Sequence, residues 1–147
     1  MNEELDYICI EILKKDKINQ YLIVDDEILE KNYNEFKNEE IILFAYNKDK
    51  NDKEPKRGCE FGIILGYNQH TKKFISNYNS SPGASGGAIL LKKNYKIIGI
   101  HTGGLEKYKK IGDINKEIKT NLFKPLSLIL NDMKSNKKSF FLLKIKL

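Results

Sequence analysis

Tryptophan is absent, and arginine occurs only once, as Arg57. Cysteine, histidine and methionine each occur twice. The two cysteines, Cys9 and Cys59, and the two histidines, His70 and His101, are too few and too scattered for metal-ligand spacing, and no cofactor motif is present. Both cysteines sit in apolar, strand-like stretches and read as buried free thiols rather than as a disulfide. No run approaches the roughly 20 apolar residues of a membrane span. The first residues, Met1 to Asp6, carry neither a basic region nor an apolar core, so as written the chain reads as cytoplasmic, without a secretory signal. The net charge of +6 comes almost wholly from lysine, interleaved with acids and asparagines. Recognition of phosphates and base edges favours arginine forks on one face, and a nucleic-acid partner is therefore not expected.

What the chain does have is a concentration of glycine. Six of its ten glycines fall between positions 83 and 104. Ser80-Ser81-Pro82-Gly83-Ala84-Ser85-Gly86-Gly87-Ala88 is a small-residue loop presenting one serine between glycines. The apolar run Ile89-Leu90-Leu91 follows, then the break Lys92-Lys93-Asn94, then Lys96-Ile97-Ile98-Gly99-Ile100-His101-Thr102-Gly103-Gly104. Glycines beside a serine free the backbone for conformations a Cβ forbids. They also let backbone N–H groups point at a developing oxyanion, as acyl transfer requires. A nucleophile elbow of the α/β-hydrolase kind needs a buried strand before the serine and a helix after it. Here the preceding residues are polar and turn-forming, and a hairpin pattern follows. Both features argue against the elbow.

The rest of the chain reads as short antiparallel strands with regular turns. Asp6 to Leu13 is β-branched and opened by an acid, and Tyr21 to Val24 is a second short apolar run. Residues 25–40 read as a solvated acidic connection with a helical turn. Ile41 to Tyr46 is a strand, and Asn47 to Arg57 is a charged loop. Cys59 to Tyr67 and Lys73 to Tyr78 form a hairpin around Asn68-Gln69-His70-Thr71. Pro125 opens a helix in which Leu126, Ile129, Leu130 and Met133 share one face. The tail Ser139 to Leu147 is apolar and basic, an extra strand or a loose end. At 147 residues a single domain with its own core is expected: residues 1–134, followed by a tail over 135–147.

The two glycine-rich motifs resemble the trypsin-like (chymotrypsin-fold) serine peptidases, which carry G-x-S-G-G, a hairpin, and then G-[IV]-x-x-x-G. The form Gly99-Ile100-His101-Thr102-Gly103-Gly104 is most similar to the bacterial glutamyl endopeptidases. The resemblance implies an all-β fold: an antiparallel trypsin-like β-barrel, the second of the family's two, with a strand or two of the first and a C-terminal helix. It implies Ser85 as nucleophile, Asp6 as the acid of the triad, and the N–H groups of Gly83 and Ser85 as the oxyanion hole. Thr102, Gly103 and Gly104 would pair with a polypeptide substrate by strand addition. His101 would line the pocket for the side chain before the cut; read from the residues alone it is equally a packed strand histidine. Asn79 stands where an aspartate would select Lys or Arg, so that preference is not expected; the resemblance at His101 implies Glu or Gln. Ala84 replaces the acid that receives a freed N-terminus, so activation of that kind is not expected.

The general base is missing from this pattern. The family's histidine precedes the aspartate, and only Met1 to Leu5 precede Asp6. Without an imidazole the serine hydroxyl stays unactivated, at a cost on the order of 10⁴-fold or more in rate. Three readings follow. The chain is an N-terminally truncated peptidase, or an inactive homologue that binds peptides or proteins, or a hydrolase that obtains its base elsewhere. Nothing in the sequence sets the oligomeric state.

Overall fold

The computed structural model describes residues 22–47, 54, 56–108 and 118–135. Six strands form a closed antiparallel barrel: β1 (Glu40–Asn47), β2 (Lys56–Asn68), β3 (Lys73–Ser76), β4 (Ala88–Leu91), β5 (Ile97–Tyr108) and β6 (Ile118–Pro125). Their order around the barrel is β1-β2-β3-β6-β5-β4, and β1 pairs with β4 to close it. Neighbours in sequence are joined by hairpins except β3 and β4, where the serine loop crosses instead. The expected all-β barrel with a C-terminal helix is therefore present. The helix α2 (Leu126–Ser135) starts directly after Pro125 and lays Ile129 into the protein, with Leu126 and Leu130 against the core. No helix among the described residues is long and apolar enough to cross a membrane.

Alternation decides which side chains fill the barrel. On β1, Ile41 and Leu43 point inward and are fully buried, whereas Phe44 and Tyr46 remain exposed. Phe74 of β3, Ile89 and Leu91 of β4, Ile98 of β5 and Phe123 of β6 complete the interior. Phe74 and Phe123 stack at 4.9 Å between ring centroids, and Phe36 meets the edge of Phe74 at 5.9 Å.

Residues 25–40 depart from the expected solvated connection. They form a short helix α1 (Glu27–Glu30) and a 3-10 turn (Tyr33–Phe36), and they bury Ile28 and Phe36 in the core. Only the outward positions of this segment are solvated. Asp25, itself buried, accepts from Glu27 N and from Asn94 Nδ2, which fixes α1 to the β4–β5 turn. Lys93 bridges Glu27 and Glu39 on the outside.

The reading of Cys59 as a buried thiol is overturned, since Cys59 is exposed. Register explains why: it stands opposite Phe44, an outward position of β1. Cys9, Asp6 and the residues 136–147 of the tail lie outside the described residues, as do positions 48–53 of the charged loop.

Candidate functional site

β3 pairs with β6 for the last time at Ser76 and Asn121. From there residues 77–87 leave the sheet and return as β4. Within this loop alternate residues face opposite ways: Tyr78 and Ala84 are buried at 1% each, while Asn79 and Ser85 are exposed. The Ala84 methyl sits in the core cluster and anchors the turn that presents Ser85 to solvent. Gly83 and Gly86 adopt φ of 95° and 86°, the left-handed region that a Cβ disfavours. Gly87 is required for a different reason. A Cβ there would lie 2.7 Å from the Ala45 Cβ and 2.9 Å from the Ala84 carbonyl oxygen.

The loop's hydrogen bonds leave a specific pair of donors over. Ala84 N donates to Ser81 O at 3.1 Å, Gly87 N to Ala84 O at 2.9 Å, and Gly86 N to His101 O at 2.8 Å. Among the described residues the N–H groups of Gly83 and Ser85 have no acceptor. These are the two donors that the resemblance implies for an oxyanion hole. The Ser85 hydroxyl likewise has no hydrogen-bond partner among the described residues.

β5 runs past the serine. Its register against β6 shifts between His101 and Leu105, so residues 102–104 stand opposite Leu122 alone. Gly103 and Gly104 have φ of 78° and 99°. A Cβ on Gly103 would lie 3.1 Å from Ser85 Oγ, which places the Thr102–Gly104 backbone beside the candidate nucleophile. Thr102 Oγ1 donates to Leu122 O at 3.4 Å. Gly103→Ala adds left-handed strain of about 1–2 kcal/mol and crowds the Ser85 hydroxyl. The expected outcome is a lower melting temperature together with slower modification of Ser85 by a serine-directed reagent.

His101, on the same strand, is buried in the barrel wall. Its main chain joins the serine loop, with His101 N donating to Gly87 O and His101 O accepting from Gly86 N, each at 2.8 Å. Its ring lies edge-on to Tyr78, and Nδ1 is 2.8 Å from the Tyr78 hydroxyl. Burial lowers the His101 pKa below its ordinary 6.5, opposed in part by the Leu122 carbonyl, which favours the charged ring. The same burial raises the Tyr78 hydroxyl far above the usual phenol range. The pair is therefore neutral at physiological pH.

A consequence for stability follows from the sign of the shift. The unfolded chain protonates His101 at a higher pH than the folded chain does. This contribution is complete above pH 6.5 and is lost as pH falls from there toward the lower folded value. Thermal midpoints measured from pH 7.5 down to 5.5 should fall more steeply for the native chain than for His101→Gln.

Neither histidine makes a hydrogen bond to the serine hydroxyl. His70 is exposed on the β2–β3 turn, with its N–H on Asn68 Oδ1. That turn lies at the opposite end of β3 from the segment leading to Ser85. His101 is engaged by Tyr78.

Two residues of this site escape a reading of the sequence, Tyr78 and Asn121. Tyr78 reads as the end of a strand. Asn121 is a lone amide next to the apolar pair Leu122-Phe123, and that contrast is the only local signal of it. It is buried, donates through Nδ2 to Tyr78 O at 2.6 Å and accepts from Ser80 Oγ at 2.6 Å.

Compared with known proteins, the chain matches no protein-family profile and no curated protein.

Proposed function

We propose that this chain is a trypsin-like serine peptidase barrel that accepts an acyl group on Ser85. The observation that carries the reading is the serine loop itself. An exposed hydroxyl stands between left-handed glycines, the N–H groups of Gly83 and Ser85 have no acceptor among the described residues, and the Gly103 backbone lies beside the hydroxyl. In this reading Ser85 Oγ adds to a peptide carbonyl while the two N–H groups stabilise the oxyanion; the C–N bond then breaks, the acyl group stays on Oγ and the hydroxyl proton passes to the departing amine, with residues 102–104 paired to the substrate backbone. The barrel's strand order and the helix following β6 agree with the resemblance.

Glu or Gln before the cut is the preference the resemblance implies; the His101 ring, 2% exposed, is held on Tyr78. Asn79 contributes no charge that would select Lys or Arg. The general base is supplied by neither His70 nor His101.

A second reading is a binding module that uses the same strand-pairing surface without chemistry. It is favoured by the unpartnered state of Ser85 Oγ among the described residues and by the engagement of His101 with Tyr78. A fluorophosphonate probe with peptide mapping distinguishes the two. A peptidase is labelled at Ser85 and cleaves after Glu or Gln in a peptide panel, and cleavage after Lys would contradict the specificity. A binding module holds peptides with no label at residue 85.

A further inference from the structure

Where the β3–β6 ladder ends, the Asn121 side chain continues it. Ser76 Oγ donates to Asn121 O at 3.2 Å, Asn121 Nδ2 donates to Tyr78 O at 2.6 Å, and Asn121 Oδ1 accepts from Ser80 Oγ at 2.6 Å. One residue, 3% exposed, thus ties three alternate positions of the segment that enters the serine loop. Both ends of its carboxamide are satisfied, as a buried amide requires.

The contacts then close on themselves. Tyr78, fixed through its main chain, sets its hydroxyl on His101 Nδ1. The His101 main chain bonds both Gly86 and Gly87. Ser85 sits immediately before the two glycines where this circuit ends. A shift of the Tyr78 main chain therefore passes to the His101 ring and from His101 to the residues that hold the serine.

We infer that Asn121 is a positioning residue that sets the place of Ser85 through Tyr78 and His101. The chemical part of its test rests on the proposed peptidase reading, and the spectroscopic part does not. Asn121→Asp keeps the shape but replaces the donor to Tyr78 O with an acceptor. Ser80→Ala removes only the contact to Oδ1.

Both variants are compared with the unsubstituted chain by three readouts: the rate of fluorophosphonate labelling, the His101 ring nitrogen resonances, and amide exchange at Gly86 and Gly87. Asn121→Asp should slow labelling by roughly 10- to 100-fold, as misplacement of a reacting group does. It should also shift the His101 resonances and speed exchange at both glycines. Ser80→Ala should change labelling by less than about threefold, because the Tyr78 contact remains.

Unchanged His101 resonances and unchanged glycine exchange in Asn121→Asp would overturn the inference, even with a lowered melting temperature. If the native chain takes no label, the peptidase reading fails while the resonances and exchange still decide the role of Asn121. Should Asn121→Asp not fold, Asn121→Ser is read by the same criteria, since it withdraws the reach to Tyr78 without adding charge.

Discussion

Ser85→Ala should abolish fluorophosphonate incorporation, lowering it at least about 10³-fold relative to the native chain. It should leave the melting curve where it was. The hydroxyl is exposed and makes no hydrogen bond with a described residue, so its removal creates no cavity and orphans no partner. The combination is diagnostic. A label that persists in Ser85→Ala would place the reactive group elsewhere and end the assignment of Ser85 as nucleophile. Equal peptide affinity in the native and Ser85→Ala chains, with no label in either, would favour the binding module.

Gly99→Ala should destabilise the barrel by about 3 kcal/mol or more, the upper part of the range for overpacking. Gly99 lies on β5 between Ile89 of β4 and Pro125 of β6. A Cβ there would stand 2.5 Å from the Lys124 carbonyl oxygen and 2.5 Å from Cδ2 of Phe123. Neither neighbour can step aside cheaply, because one is sheet backbone and the other is a fully buried ring stacked on Phe74. Urea denaturation should show a lower midpoint with an unchanged slope, the signature of lost stability in an intact fold. Gly66→Ala is the control. Nothing lies within 4 Å of its Cβ position, and a change within about 0.5 kcal/mol is expected. Comparable losses in both variants would mean that generic sheet propensity, not the contact with Phe123, sets the cost.

These two glycines also separate what a sequence can convey from what it cannot. Both sit in strand-like runs and look alike in sequence. Only the neighbouring strand shows that one faces a ring and the other faces open space. The serine loop is the opposite case. Gly83, Gly86 and Ser85 are adjacent in sequence, and their left-handed backbone and exposed hydroxyl follow from local chemistry, so that part of the site was legible in advance. The partner of His101 was not. Tyr78 lies 23 residues away, and Asn121 lies 43 residues from Tyr78. Nothing in the spacing of these residues distinguishes them from any other buried aromatic or polar side chain.

The sequence by itself determined the elements: the alternation that turns Ile41 and Leu43 inward, the hairpin turn after Asn68, the serine loop, and the helix behind Pro125. Each depends on steric and hydration preferences acting over a few residues, which a linear pattern records directly. The tertiary structure alone decided the rest. Closure of β1 on β4 and the register of β1 on β2 put Cys59 outside, and the packing of residues 25–40 across the barrel put Ile28 and Phe36 inside. The meeting of β3 with β6 brought Asn121, Tyr78 and His101 together behind Ser85. Register and closure are set by the simultaneous satisfaction of every strand's buried face and hydrogen bonds. That is a property of the whole sheet, and no single stretch of the chain contains it.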